Sequence, residues 1–171
     1  QLKEDANCWS ETRFAGHAIE LARESADEGY DLVAALGGDG TVHEVINGLM
    51  QIPPEKRPAL GIIPLGSGND FAHILGIPDN AQQALLACIH GQPQPLDIAS
   101  VRDEHNRLEY FNNTIGIGFD AVVTIHTRKI KAIHGFMMYL IATLKTIFLD
   151  FAPMDLQVKT DQESWQQPTI M

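Results

Sequence analysis

A short apolar run, a glycine-rich turn and a helix follow one another twice in this chain, and this repeated pattern constrains the fold most. The first copy is Asp31–Leu36 followed by the turn Gly37–Gly40, and the second is Leu60–Leu65 followed by the turn Gly66–Asp70. Apolar runs of this length indicate strands buried on both faces, and strands alternating with helices indicate a parallel sheet. We therefore predict an α/β fold with both turns at the carboxyl edge of the sheet.

Helical spacing, strand-like runs and turn residues predict the other elements. These are a short strand over Cys8–Arg13, a helix from Gly16 that Gly29 caps, a helix over Asn80–His90, strands over Leu96–Val101 and Leu108–Ile115, a helix from Phe119 to Ile130, a helix over Gly135–Leu149, and a strand over Met154–Thr160. Because the character changes near Gln94, we predict an α/β lobe over residues 1–94 and the beginning of a second, β-rich lobe over residues 95–171.

The charge and cysteine content limit the classes of partner. The formal net charge is −10, which disfavours nucleic acid and gives no general attraction to anionic lipids. Cys8 and Cys88 have no pairing or metal-ligand spacing, which suits a reducing compartment. The chain opens on polar residues without the apolar core of a signal peptide, so we expect a cytoplasmic protein.

An apolar stretch over Phe136–Phe151 is the candidate for membrane contact. It is shorter than the ~20 residues of a membrane-spanning helix and is interrupted by Lys145. A basic cluster of Arg128, Lys129 and Lys131 precedes it, so the stretch could lean on a bilayer. The alternative, which we favour, is a core helix with a solvated charged end.

The two glycine turns suit a phosphate chain. Gly37, Gly38 and Gly40 let backbone N–H groups approach an anion, and Thr41 adds a hydroxyl at the helix start. The stretch from Gly66 through Ser67 to Gly68 could act in the same way. Neither turn matches the P-loop or the dinucleotide fingerprint. A nucleotide site and a purely geometric need for glycine therefore both remain open.

Asp39 argues for chemistry, because a carboxylate inside an anion-binding loop repels phosphate unless something offsets it. Mg²⁺ could do so, since it prefers carboxylate, water and phosphate oxygens. Alternatively, Asp39 could be the base that takes the proton of an acceptor hydroxyl. Asp70 and Asp97 also follow strands and could join a water-mediated metal network, or they could simply cap a helix and form a turn.

Two stretches, Leu36–Leu49 and Gly61–Ala72, closely resemble the catalytic domain of the diacylglycerol kinase and sphingosine kinase family. The first turn alone is similar to loops of NAD kinases and some phosphofructokinases, and the second makes the resemblance specific. Weaker similarity continues to about Thr160, through Gly76–Pro78, Leu96–Ile98 and Asn113–Ala121.

The resemblance implies a nucleotide-binding α/β lobe followed by a β-sandwich lobe, with the active site between them. It implies ATP and Mg²⁺ as cofactors and Asp39 as essential for transfer. The residues it assigns to ATP are Thr12, Gly37, Gly38, Asp39, Gly40, Thr41, Val42, His43, Gly66, Ser67, Gly68 and Asn69. The family's first strand and the distal part of its second lobe have no counterpart here, so we expect this chain alone to be inactive.

We therefore expect a lipid kinase that transfers the γ-phosphate of ATP to diacylglycerol or a related lipid. The alternatives are a sphingoid-base kinase, an NAD kinase, and a non-catalytic nucleotide- or lipid-binding module. The expected partners are ATP and a membrane lipid, reached by transient contact at the inner membrane face, and a homodimer stays open.

Overall fold

The computed structural model describes residues 8–103, 105–130, 136–149, 153–159 and 161–169. In chain order its elements are α1 (His17–Glu24), β1 (Leu32–Gly37), α2 (Asp39–Leu49), a 3₁₀ turn (Pro54–Lys56), β2 (Ala59–Pro64), α3 (Asp70–Ile74), α4 (Ala81–His90), β3 (Ala99–Arg102), β4 (Leu108–Phe111), α5 (Phe119–Lys129), α6 (Phe136–Leu149), β5 (Met154–Lys159) and β6 (Ser164–Thr169).

The first two strands form a parallel pair joined by a crossover through α2. Leu32 lies opposite Ala59, and Gly37 lies opposite Pro64. The hydrogen bonding continues beyond the last pair, because the N–H of Leu65 donates to the carbonyl oxygen of Gly37 at 2.8 Å. Both glycine turns therefore leave the sheet at its carboxyl edge. The predicted α/β class with a parallel sheet is confirmed, as are the antiparallel strands that follow it.

Helices α1 and α2 cross so closely that Gly48 is required at the contact. A Cβ at Gly48 would overlap the carbonyl oxygen of Ile19 and lie 2.7 Å from Cβ of Ala22. The small side chains of Ala18 and Ala22 are buried there. The buried residues of α2 that pack into the same core are Val42, Val45, Ile46 and Leu49. Each of these four buried side chains contributes ~1.5–3 kcal/mol relative to an exposed one.

The β3–β4 hairpin is attached to α2 through the backbone-pairing side chain of Asn47. The N–H of Tyr110 donates to Oδ1 of Asn47, and Nδ2 of Asn47 donates to the carbonyl oxygen of Tyr110, both at 2.9 Å. By its contacts the chain divides into Gln1–Thr114 and Ile115–Met171. The hairpin thus groups with the first unit, although it follows the boundary predicted near Gln94. The reason is that the side chain of Asn47 bonds both the N–H and the carbonyl oxygen of Tyr110.

The second unit contains a helix pair and a hairpin. Val123 of α5 and Ala142 and Thr146 of α6 are buried. Strands β5 and β6 pair antiparallel. The predicted apolar helix is present as α6, whereas Phe151 and Lys131 lie outside the described residues. None of the helices in the described part of the chain has the length and apolar content that a bilayer crossing needs.

Some predicted boundaries are wrong for identifiable reasons. Residues 8–13 form no strand, since among the described residues no strand pairs with them. Helix α1 itself ends at Glu24, and a turn continues to the predicted cap Gly29, which has a φ of 75° and is followed by a hydrogen bond from the N–H of Tyr30 to the carbonyl oxygen of Ser25 at 3.1 Å. β3 starts only at Ala99, where its antiparallel pairing with Phe111 of β4 begins. β4 ends at Phe111, because the chain bends at residues 112 and 113.

Candidate functional site

The two glycine turns touch through their backbones. A Cβ at Gly38 would lie 3.0 Å from Cα of Gly66, and a Cβ at Gly66 would overlap Cα of Gly38. At Gly66 only glycine fits while the turns keep this approach, and at Gly38 a side chain would force the second turn to move slightly. The geometric reason for glycine therefore applies to these two residues, whereas a Cβ at Gly40 would meet nothing within 4 Å.

The start of α2 presents unpaired helical N–H groups. Gly38 is extended, with φ −98° and ψ −171°, and no side chain caps the helix there. The first helical hydrogen bond runs from the N–H of Val42 to the carbonyl oxygen of Gly38 at 3.1 Å. The N–H groups of Asp39, Gly40 and Thr41 precede it and have no acceptor within the helix. This end carries ~0.5 positive charge and can accept an anion.

Thr41 folds back over the first turn. A Cβ at Gly37 would lie 2.5 Å from Oγ1 of Thr41, so the hydroxyl sits directly above Gly37. Thr41 also lines a cavity of about 190 Å³ with Thr12, between α1, β1 and α2. The structure thus brings these two predicted residues to one cavity. That cavity is smaller than the ~300–1,000 Å³ of typical ligand pockets, so it is no nucleotide pocket by itself.

Asp39 connects the first turn to the second. Its Oδ2 accepts the N–H of Asn69 at 2.8 Å, and its Oδ1 accepts the N–H of Phe71 at 3.3 Å. Phe71 is in the first turn of α3, so the carboxylate caps that helix from outside. Backbone N–H groups thus offset the charge of Asp39, so neither a cation nor a proton is required to compensate this carboxylate.

Asn69 closes the second turn from within. It has the left-handed φ of 58°, its Oδ1 accepts the N–H of Gly66, and its Nδ2 donates to the carbonyl oxygen of Gly66, both at 2.9 Å. Ser67 and Gly68 are exposed at the tip of the turn. The side chain of Asn69 therefore shapes this turn, and the exposed tip is the part that a ligand can reach.

The carboxylates of Asp39 and Asp70 approach the same point. A Cβ at Gly68 would lie 3.0 Å from Oδ2 of Asp39 and 3.9 Å from Oδ1 of Asp70. Asp97 lies apart in the exposed segment before β3, between two residues that line a different cavity. Within the described ranges, no group of three or more His, Cys, Asp and Glu side chains gathers as a metal site.

Two residues assigned to ATP by resemblance have other contacts. Val42 is buried in the core, and its N–H is bonded to Gly38. His43 directs its ring at the hairpin, with Nε2 2.9 Å from Oε1 of Glu109. Neither observation tests their predicted contact with a nucleotide. Both residues do help to fix α2 in place, Val42 through the core and His43 through β4.

Glu44 and Asn47 were not singled out from the sequence, although both make defined contacts. Glu44 accepts the N–H of Gly16 at 2.9 Å and the N–H of Ala18 at 3.3 Å. Glu44 and Gly48 are four residues apart and share one face of α2. Gly48 allows the close crossing with α1, and Glu44 lies one turn earlier on the same face. The pattern of a glycine and a carboxylate on one face could therefore have predicted that Glu44 contacts α1.

A second cavity of about 550 Å³ lies along the first four residues of β2. The second glycine turn follows the opposite, carboxyl end of that strand. Its walls are mainly apolar and include Ile62, Ala84 and Cys88. Burial raises the pKa of the Cys88 thiol, although a weak hydrogen bond to the carbonyl oxygen of Ile62 acts in the opposite direction. The residues that line this cavity include neither glycine turn.

Solved and curated proteins resemble this chain over most of its length. It is 45% identical over 112 residues to a "Probable lipid kinase YegS-like" of Chromohalobacter salexigens, which covers 66% of this chain and 34% of that protein. It is 36% identical over 157 residues to a diacylglycerol kinase of Bacillus subtilis, which covers 91% of this chain and 49% of that protein. A crystal structure of a diacylglycerol kinase from Bacillus anthracis matches with a TM-score of 0.63 and 26% identity, over 93% of this chain and 47% of that one.

This chain thus spans about half or less of the length of these relatives. The family model for the diacylglycerol kinase catalytic domain matches residues 4–101, which contain both glycine turns and the contacts between them. This match covers more than half of the chain, and the chain belongs to the diacylglycerol kinase catalytic domain family.

Proposed function

We propose that this chain is part of a lipid kinase that transfers the γ-phosphate of ATP to a lipid hydroxyl, with diacylglycerol as the first candidate. The observation that carries the proposal is the contact between the two glycine turns beside the open N-terminus of α2. Family membership and the names of the relatives support the lipid kinase class. The specific lipid and the use of ATP are our inference.

In this proposal the first turn binds the phosphate chain. The N–H groups of Asp39, Gly40 and Thr41 donate to phosphate oxygens, because they have no acceptor inside the helix. The hydroxyl of Thr41 adds a donor above Gly37. The exposed tip at Ser67 and Gly68 contacts the nucleotide from the neighbouring strand. Glycine at Gly38 and Gly66 keeps both turns close enough to contact one ligand.

Asp39 and Asp70 are the residues that fit Mg²⁺. Each oxygen of Asp39 accepts one N–H and retains a further lone pair, and Asp70 is exposed beside it. Because two carboxylates make a sparse protein ligand set, water and phosphate oxygens would have to complete it, as Mg²⁺ prefers. When bound, Mg²⁺ neutralises charge on the phosphates. In the alternative role, without a metal ligand on that oxygen, a free lone pair of Asp39 accepts the proton of the lipid hydroxyl.

The membrane side of the proposal rests on α6. Its exposed apolar side chains include Met137, Phe148 and Leu149, and Lys145 is exposed on the same helix. We propose that this surface contacts a bilayer transiently in a cytoplasmic enzyme. An apolar helix face with a lysine suits an anionic interface.

The test is transfer of labelled γ-phosphate by the full-length protein. The acceptors are diacylglycerol, monoacylglycerol, sphingosine, ceramide and phosphatidylglycerol in mixed micelles, with NAD as an acceptor from another class. Each is assayed with Mg²⁺ and with a chelator. Asp39→Asn removes the charge at the site, and Asp79→Asn is the matched control, because that carboxylate is exposed and pairs only loosely with His73 at 3.3 Å.

We expect label on one lipid, dependence on Mg²⁺, full activity in Asp79→Asn and a large loss in Asp39→Asn. Label on sphingosine alone would assign a sphingoid-base kinase. Label on NAD would contradict the lipid kinase proposal. Binding of ATP without transfer to any acceptor would leave a non-catalytic binding module.

A further inference from the structure

We propose that Glu44 is a positioning residue for the nucleotide: it fixes the segment from Thr12 to Gly16 against the first glycine turn. The inference rests on the proposed function and adds a residue that the site itself does not contain. Glu44 lies in the second turn of α2 and is only partly exposed. It acts through α1 and not by contact with ATP.

The contacts of Glu44 cross from one helix to the start of another. Its Oε1 accepts the N–H of Gly16 at 2.9 Å, and its Oε2 accepts the N–H of Ala18 at 3.3 Å. Helix α1 has no side-chain cap of its own, because its N-terminal flanking residue is Gly16 with a φ of 90°. The carboxylate of Glu44 therefore supplies the acceptors that a local cap would otherwise provide.

The same pairing removes an electrostatic conflict. A carboxylate five positions after Asp39 in the same helix would repel a phosphate chain at the start of α2. The positive end of α1 offsets that charge through two N–H groups. The start of α2 therefore remains attractive to an anion although its first two turns contain two carboxylates.

The position of Glu44 affects the segment before α1 as well as the helix start, because hydrogen bonds join the two. The N–H of Arg13 donates to Nδ1 of His17 at 3.1 Å, and the N–H of His17 donates to the carbonyl oxygen of Phe14 at 3.2 Å. Thr12 is adjacent to this folded segment and lines the same cavity as Thr41. A shift of the α1 start would therefore move Thr12 relative to the first glycine turn.

The test compares Glu44→Gln and Glu44→Ala in the full-length protein, with Glu20→Gln as matched control. Gln keeps the size of the side chain and one acceptor oxygen, but it sets an NH₂ group against one of the two backbone N–H groups. Glu20 is an exposed carboxylate in the first turn of α1. Four quantities are measured: KM for ATP, KM for the lipid, kcat, and Kd for ATP in the absence of lipid.

We expect Glu44→Ala to raise KM and Kd for ATP about tenfold, which corresponds to ~1.4 kcal/mol, and Glu44→Gln to raise them about threefold. KM for the lipid should stay unchanged, as should all values for Glu20→Gln. A role only in folding would lower the active fraction, and so kcat, without changing Kd for ATP. That pattern would overturn the inference, and Glu44→Gln keeps the test available if Glu44→Ala does not fold.

A double-mutant cycle with Thr12→Val tests the route. If Glu44 acts through the Thr12 segment, the combined effect of Glu44→Gln and Thr12→Val on Kd for ATP should differ from the product of the single effects by more than about twofold. Additive effects would overturn the inference. Failure of the proposed function has a different signature, because the wild-type protein would then bind no ATP or label no lipid.

Discussion

Replacement of Asp39 should loosen the second glycine turn, independently of any effect on catalysis. The carboxylate holds the N–H groups of Asn69 and Phe71 at 2.8 and 3.3 Å. Asp39→Ala removes both acceptors. Asp39→Asn retains one oxygen and places an NH₂ group against the other N–H. Loss of activity in either variant would therefore combine a chemical cause and a structural one.

The structural part can be given a magnitude. A hydrogen bond to a charged group contributes ~1.5–3 kcal/mol, and an N-cap contributes ~0.5–2 kcal/mol. Because Asp39 is partly exposed and its second contact is long, we expect the lower part of these ranges. The local opening free energy at the turn should fall by ~2–3 kcal/mol in Asp39→Ala and by ~1–2 kcal/mol in Asp39→Asn.

Amide hydrogen exchange, resolved to single residues by NMR, is the appropriate assay because it reports opening of one segment. The amides of Asn69 and Phe71 should exchange roughly 30- to 150-fold faster in Asp39→Ala. Asp70→Asn is the control, because it removes an exposed carboxylate from the same turn. It should change the opening free energy of the Asn69 and Phe71 amides by less than ~0.5 kcal/mol. Unchanged protection of Asn69 and Phe71 in Asp39→Ala would refute the argument that this carboxylate holds the turns together.

Three further predictions follow from single contacts. Gly66→Ala should destabilise the first unit by more than ~2 kcal/mol in thermal unfolding. Gly40→Ala should change the stability by less than ~1 kcal/mol, because a Cβ at Gly40 meets open space. Equal effects of the two substitutions would contradict the backbone contact between the turns. Asn47→Ala should cost ~2–3 kcal/mol and release the β4 amide of Tyr110 to exchange, whereas exchange at the wild-type rate would contradict the pairing. Iodoacetamide should modify exposed Cys8 well before Cys88, whose raised pKa leaves less thiolate at neutral pH; equal rates would contradict its burial.

Local pattern was sufficient to predict the elements that carry the site. The apolar runs before Gly37 and Gly66 indicated buried strands, and both became the parallel pair β1–β2. The expected burial holds for the last four residues of β2, whereas in β1 only Ala35 is buried. The glycines indicated tight turns, and the structure shows that Gly66 is needed because its backbone touches that of Gly38. These features depend on residues adjacent in sequence and on the shared edge of parallel strands.

The contacts between elements could not be predicted in the same way. Residues 8–13 have a strand-like sequence, but a strand exists only with a partner, and the described residues supply none. Asn47 pairs with Tyr110, 63 positions away, and no local spacing announces such a partner. Spacing along the chain therefore gave no sign that the buried amide of Asn47 binds the hairpin to α2.

Asp39 and Glu44 show how a sound electrostatic premise can lead to too narrow a conclusion. A carboxylate beside an anion site does need compensation, and the sequence suggested a metal ion or a proton. In the structure, N–H groups at the starts of two other helices provide it: α3 pairs with Asp39, and α1 pairs with Glu44. Asp39 thereby joins the second glycine turn to the first, and Glu44 joins the start of α1 to α2. The start of α2 is left without a side-chain cap, so its N–H groups remain open to the phosphate chain that we propose binds there, although the net charge of the chain is −10.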